Sequence, residues 1–159
     1  MDKEKSMRRS LFAALSLGVA VVALAPAAAA GDNFAAAPMA GDEEVPAVDT
    51  RATGVATFKL RDERLVFKVN VANIEDVFAA HIHCGAVGVN GPVGVTLFSG
   101  DPVTVNGTLA EGVITAPDPA NDCGWTDLAA VVAALDSGDT YANVHTTAHP
   151  GGEIRGQIK

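Results

Sequence analysis

The sequence predicts an all-β fold, a two-sheet antiparallel sandwich with one short helix. Three features support this prediction: segments in which apolar and polar residues alternate, Gly-Pro and Asn-Gly pairs between those segments, and a single stretch with helical spacing. Alternation places successive side chains on opposite faces of a strand. Seven or so short strands separated by regularly spaced turns are typical of a β-sandwich.

The clearest alternation lies in residues 52–60 and 64–71, which are separated by the charged residues 61–63. Two alternating segments joined by a short polar turn predict a β-hairpin. Further strands are predicted at residues 77–83, 93–98, 103–109 with 113–115 nearby, 141–146 and 153–158.

One segment, residues 126–136, breaks this pattern. Its apolar residues recur at helical spacing: Leu128, Val131, Val132 and Leu135. Thr126 is the predicted N-cap, Asp127 complements the positive end of the helix, and Gly138 can end it. A short crossover helix is therefore expected.

The first thirty residues predict a cleavable signal peptide. The chain starts with Lys3, Lys5, Arg8 and Arg9, continues with an uncharged run rich in Ala, Val and Leu at 11–25, and ends with three alanines at 28–30. This order is typical of a secretory signal, with the cut before Gly31. The apolar run is shorter than the about 20 residues of a spanning helix, although an uncleaved N-terminal anchor is the alternative. The protein is therefore expected to be secreted or periplasmic.

The exported part is expected to begin with a flexible lead-in at residues 31–39, which are Ala-rich and lack periodicity. The folded domain is then residues 40–159. This part carries 7 Lys and Arg residues against 17 Asp and Glu, a formal charge near −10. Such a charge repels nucleic acid and anionic lipid surfaces, and no later segment is apolar enough to span a bilayer. The expected partner is an extracellular or envelope protein.

Both cysteines, Cys84 and Cys123, lie in the exported part. An even number of cysteines in an oxidising compartment predicts one disulfide, which would close a loop of about 40 residues. The alternatives are two buried free thiols, or thiolate ligands beside the histidines.

The four histidines of the chain fall into two clusters, His81 with His83 and His145 with His149. Residues two apart on a strand share a face, so His81 and His83 project together. If the two histidine-bearing strands are neighbours, all four imidazoles converge. Neutral imidazole is a good ligand for copper(II) and zinc, so one copper or zinc site at these four residues is a hypothesis.

The alternative interpretation of the histidines is a polar network. They would then hydrogen-bond to the backbone and to Glu153, Arg155 and Gln157, which share one face of the last predicted strand. Glu153 and Arg155 are expected to form a structural ion pair. Near a metal, Arg155 would instead steer small anions. No Ser/His/Asp or Cys/His nucleophile pattern stands out, so no catalytic residue is predicted.

Three stretches, in this order, carry a family resemblance: GDEEVPAVDTRATGVATFKL, AAHIHCGAVGVNGPVGVTLF and YANVHTTAHPGGEIRGQI. They resemble the CHRD (chordin) domain, over residues 35–159. The resemblance implies an immunoglobulin-like β-sandwich. The family occurs in animal chordins, which are extracellular growth-factor antagonists, and in exported microbial proteins. This chain has a single copy and lacks the cysteine-rich repeats of chordin, so it looks like the microbial type and the antagonist function is not expected.

The HIH stretch and the closing GGEIRGQI are also similar to Cu/Zn superoxide dismutase. That enzyme type needs about six histidines and an aspartate for two metals, and this chain has 4 histidines. At most one copper or zinc ion fits. The expected function is a non-enzymatic binding or structural module of the envelope or extracellular space. The alternatives are a single-site copper or zinc domain, and a copper-only dismutase-like enzyme with Arg155 steering its substrate.

Overall fold

A computed structural model of the protein describes residues 32–159. The predicted signal peptide lies outside the described residues. The elements are β1 (Asn33–Ala40), a 3-10 turn (Gly41–Glu43), β2 (Thr53–Arg61), β3 (Arg64–Cys84), β4 (Val93–Ile114), α1 (Leu128–Ser137), β5 (Thr140–Thr146) and β6 (Ile154–Gln157).

The strands pair antiparallel in the order β2-β1-β6-β5-β3-β4, and β2 also pairs with β3. This additional pairing closes the sheet into a barrel-like arrangement. An antiparallel β fold with one short helix is confirmed. The two-sheet, immunoglobulin-like form of that fold stays a prediction, because the strands are linked by one continuous set of pairings.

The predicted hairpin is confirmed. Residues 53–61 pair with residues 64–72 in continuous register. The turn consists of Asp62 and Glu63 alone, with φ values of 45° and 59°. Positive φ at both central residues is typical of a two-residue turn that matches the twist of the flanking strands. Arg61, which the sequence assigned to the turn, belongs to β2.

Strand β3 is longer than the sequence predicts, since it joins the predicted segments 64–71 and 77–83. Between them Asn73 and Asp76 have φ values of 54° and 52°, and the register with β4 shifts. The first half of β3 pairs with β2, and the second half pairs with β5. This change of partner brings the histidines at the end of β3 beside β5.

The hydrophobic core lies on the inner face of these strands and beneath α1. Its largest fully buried apolar side chains include Phe58, Leu65, Ile82, Leu135 and Ile154. All seven residues of β5 are buried, so both faces of that strand are covered. One face packs on the core, and the other carries polar side chains.

The expected flexible lead-in at residues 31–39 is wrong for its described part. Residues 33–40 form β1, which pairs with β2 and contacts β6. Phe34, Ala36 and Met39 are buried in the core. The pattern was hidden because alanine, which carries little hydrophobic contrast, stands on both faces of this strand.

The predicted helix is present, but its N-cap is one residue later than expected. Asp127, rather than Thr126, has the extended backbone of an N-cap, and its Oδ1 accepts a 2.9 Å hydrogen bond from Ala130 N–H. Gly138 ends the helix with φ 76°, as predicted.

The predicted disulfide between Cys84 and Cys123 is confirmed. It joins the end of β3 to the loop that precedes α1. Within residues 32–159, no helix has both the length and the apolar character needed to cross a bilayer.

Replacing both cysteines by serine should lower the free energy of unfolding by roughly 4 kcal/mol, because the bond closes a long loop in the unfolded chain. Urea denaturation of the purified domain, with and without the two substitutions, measures this difference. Reduction of the unsubstituted protein should give the same loss. A loss below about 1 kcal/mol in both experiments would contradict the entropic role of the bond.

Candidate metal site

Three histidines meet on the polar face of the β3–β5 pair. In the antiparallel register, His81 lies opposite Asn143, and His83 lies opposite Tyr141. Directly opposed residues in such a pair project from the same face. His145, two residues beyond Asn143, therefore joins the same patch, as alternation predicts.

The three rings are close enough to share one ion. One nitrogen from each of His81, His83 and His145 lies within 4.8 Å of the others. The closest pair is His81 Nδ1 and His145 Nε2, 3.0 Å apart. His83 and His145 are buried, whereas His81 is half-buried. The cluster therefore opens toward solvent on the His81 side.

His149, the fourth predicted ligand, is not brought into the group of three that the described residues form. It lies in the turn after β5, where its backbone N–H bonds to Thr146 and its carbonyl accepts from Gly152 N–H. Strand alternation does not extend into this turn, so the sequence pattern gave no direction for the His149 ring.

Backbone carbonyls fix the tautomers of two rings. The Nδ1 atoms of His83 and His145 lie 2.9 Å from the carbonyl oxygens of Gly91 and Pro150, respectively. A carbonyl oxygen only accepts, so each Nδ1 must carry the proton, and each Nε2 keeps a lone pair. Metal-binding histidines typically donate their other N–H in this way.

The tautomer of His81 follows from that of His145. Because His145 Nε2 carries a lone pair, the 3.0 Å contact with His81 Nδ1 is a hydrogen bond donated by His81. An ion bound between these two nitrogens would replace that hydrogen bond, and the His81 proton would move to the solvent side of its ring.

Burial keeps the imidazoles neutral. It lowers the pKa of His81 to about 4, with a further lowering by His145 and His83. Burial also lowers the pKa of His83 and of His145, against the hydrogen bonds to Gly91 and Pro150. Neutral rings are the form that binds a metal, so near pH 7 binding requires only the shift of the His81 proton within its ring and no net loss of a proton.

A stack of three side chains supports His83. The Tyr141 ring lies parallel to the His83 ring, with centroids 4.7 Å apart. On Tyr141 lies the guanidinium of Arg155, with its central carbon 3.4 Å from the ring centroid. Arg155 is only 2% exposed.

Arg155 also holds the loop at residues 85–92. Its guanidinium donates to Asn90 Oδ1 (3.1 Å) and to the carbonyls of Ala86 (3.3 Å) and Val89 (2.9 Å). The same loop presents the Gly91 carbonyl to His83. Arg155 therefore orients a candidate ligand without touching the cluster itself.

The expected ion pair between Glu153 and Arg155 is not formed. Both Glu153 carboxylate oxygens accept 2.7 Å hydrogen bonds, one from Thr50 and one from Thr146. The ion pair within the described part of the chain joins Lys68 and Glu111. Because β6 begins at Ile154, Glu153 precedes the strand and the expected i, i+2 geometry does not apply.

The steering role considered for Arg155 stays a prediction, although the guanidinium is buried and donates to the loop. Gln157, the third member of the expected polar network, donates to the carbonyls of Gly85 and Gly138 rather than to a histidine.

Sequence reasoning missed Glu44, which lies beside the cluster and is 7% exposed. Burial raises its pKa to about 7, and the Arg155 charge and a hydrogen bond from Asn143 oppose that rise. The sequence gives no signal for this role, since Glu44 ends an acidic run that is typical of a solvated surface. Asn143, by contrast, shares the alternation of His145.

The family model of the CHRD domain matches residues 35–158 of this chain. No curated protein and no solved structure matches the chain at a significant level.

Protein stability should fall as the pH drops from about 6.5 to about 4. The folded-state pKa of His81 is about 4 and its unfolded value is 6.5, so the unfolded chain takes up the proton first. His81→Gln should therefore flatten the loss of unfolding free energy in this window. Urea denaturation in a metal-chelating buffer, at half-unit pH steps, measures it.

Glu44→Gln should change the pH dependence of the free energy of unfolding in the opposite direction. The folded-state pKa of Glu44 is about 7 against 4.5, so its proton stabilises the folded state increasingly as the pH falls from 7 to 4.5. Removing the Glu44 carboxyl group should make the free energy of unfolding fall more steeply as the pH drops from 7 to 4.5. Identical pH profiles for the two variants and the unsubstituted protein would contradict the neutral-histidine arrangement.

Proposed function

This chain belongs to the CHRD domain family, and we propose that it is an exported, non-enzymatic module that binds one copper(II) or zinc ion through His81, His83 and His145. The observation that carries the proposal is the convergence of three nitrogens within 4.8 Å, two of them in tautomers fixed by backbone carbonyls. Three imidazoles on rigid strands match the ligand sets of single copper and zinc sites.

The shortest contact in the cluster is compatible with one shared ion. With metal–nitrogen bonds of about 2.0–2.1 Å, two ligands at a right angle lie about 2.9 Å apart, and two tetrahedral ligands lie about 3.4 Å apart. His81 Nδ1 and His145 Nε2 are separated by 3.0 Å, which is the length of the hydrogen bond that joins them. Neutral imidazole ligands suit copper(II) and zinc alike.

Export is supported by two independent features. The basic, apolar and small-residue order of the first thirty residues is typical of a secretory signal. The Cys84–Cys123 disulfide is a bond that persists in oxidising compartments. A copper(II) site is compatible with the same environment, because it requires no reducing surroundings.

The unsubstituted mature domain should bind one copper(II) per chain. His83→Ala and His145→Ala should each weaken binding by more than about 100-fold, which exceeds the effect of losing an outer-shell partner. His149→Ala is the matched control and should bind as the unsubstituted protein does. Tag-free protein is titrated against a chromophoric copper chelator, with elemental analysis for stoichiometry.

Two outcomes would sink the proposal. One is a stoichiometry well below one ion per chain for both copper(II) and zinc. The other is equal affinity in the unsubstituted protein, His83→Ala and His149→Ala, which would locate any bound ion elsewhere on the surface.

Arg155→Lys should weaken copper(II) binding by about tenfold, because lysine cannot hold three loop acceptors and stack on Tyr141 at once. The copper(II) paramagnetic resonance spectrum should change with it, since the Gly91 carbonyl no longer fixes His83. Arg64→Lys, an exposed change on β3, is the control. An unchanged spectrum and affinity in Arg155→Lys would show that the stack does not position the ligand.

A further inference from the structure

The wall of the histidine cluster contains buried polar atoms that have no partner. In residues 32–159, four buried side-chain atoms lack a hydrogen bond, and three of them belong to neighbouring residues: His83 Nε2, Asn143 Oδ1 and Glu44 Oε1. These residues are 7%, 2% and 7% exposed. An unpaired polar atom at such depth is costly, so three of them at one place point to a missing ligand.

Asn143 occupies the middle of the site. It lies opposite His81 in the β3–β5 register, and two residues before His145 on β5. Its side chain therefore projects from the same face as all three imidazoles. It is also the most deeply buried of the three residues with unpaired atoms.

The direction of the Asn143 amide follows from the position of its nitrogen. Asn143 Nδ2 and Glu44 Oε1 both lie against Gly152, where an added Cβ would be 2.8 Å from Nδ2, so the amide N–H end is on the Glu44 side. The amide oxygen is then turned away from Glu44, on the face of β5 that also carries His145.

Two buried acceptors on this face are unpaired. His83 donates through Nδ1 to Gly91, so its Nε2 carries a lone pair. Asn143 Oδ1 carries lone pairs as well, and neither atom has a donor. Leaving buried acceptors unpaired is unfavourable, and a cation bound by both atoms would satisfy them together.

We propose that Asn143 Oδ1 is a fourth ligand of the ion held by the three histidines, with Glu44 orienting the amide. This inference rests on the metal site proposed above. An amide oxygen is a known weak axial ligand of copper, and N,O ligand sets suit tetragonal copper(II). The site is then three nitrogens and one oxygen.

The turn after β5 lies against the Glu44–Asn143 pair. Gly152 has φ 128°, and a Cβ at that position would overlap Glu44 Oε1 and lie 2.8 Å from Asn143 Nδ2. Only glycine lets the backbone pass this close. The turn after β5 therefore packs directly against Glu44 and Asn143.

The test compares copper(II) complexes of Asn143→Leu, Asn143→Asp and the unsubstituted mature domain. Asn143→Leu, which keeps the volume and removes the oxygen, should lose about tenfold or more in affinity and shift the copper(II) paramagnetic resonance parameters. It should also gain a coordinated water, visible as exchangeable deuterium coupling in D₂O. Asn143→Asp keeps an oxygen donor and should retain binding without the extra water.

Asn70→Leu is the matched control. Asn70 lies on β3 far from the cluster, with its Oδ1 accepting from Thr108, and its removal should leave the copper spectrum unchanged. Glu44→Leu should reproduce part of the Asn143→Leu spectral change, because the amide loses its anchor.

The outcomes separate the two proposals. If the unsubstituted protein binds copper(II) but Asn143→Leu has the same affinity, spectrum and water coupling, the oxygen ligand is wrong and the three-histidine site stands. If Asn143→Leu does not fold, a coordinated water already present in the unsubstituted complex would overturn the assignment, and its absence would support it. If the unsubstituted protein binds no ion, the proposed function itself fails.

Discussion

The hydrogen bond from His83 Nδ1 to the Gly91 carbonyl is the contact on which the site depends. It fixes the tautomer of a buried imidazole, and it requires the loop at residues 85–92 to be rigid. That loop is tied down at several points: Cys84 N–H bonds to Pro92, Asn90 Nδ2 donates to Val45, and Gln157 reaches Gly85. These contacts hold the irregular loop in one conformation.

Arg155 explains how this largely exposed loop stays in place. Burying a guanidinium is unfavourable unless its N–H groups are paired. Here they meet three loop acceptors, while the planar group lies on Tyr141. An aliphatic side chain would avoid the desolvation cost but would connect nothing. The buried cation links β6 to the loop and, through the stacked rings, to His83, so its role is geometric more than stabilising.

Alternation was enough to predict the hairpin, most strands and the shared face of His81 and His83, because those features follow from a period of two. The approach of His145 also needed β3 and β5 to be neighbours, which the sequence pattern left as a condition. Alternation gave no prediction where the backbone departs from a regular strand. The carbonyls of Gly91 and Pro150 carry no signal in the sequence, since every residue has a carbonyl. Glu44 resembles a solvated carboxylate until the fold buries it, and a strand with alanine on both faces looked like a flexible lead-in.

The backbone part of the expected polar network is present, since His83 and His145 each bond to a carbonyl, but His83 Nε2 receives no donor. Tyr141 donates its hydroxyl to Gly91, Thr146 donates to Glu153, and Arg155 donates to the loop. The N–H end of Asn143 lies on the Glu44 side. His83 Nε2 and Asn143 Oδ1 are left without a donor. Their burial without a partner destabilises the folded state, whereas a cation bound by both atoms would stabilise it by mass action.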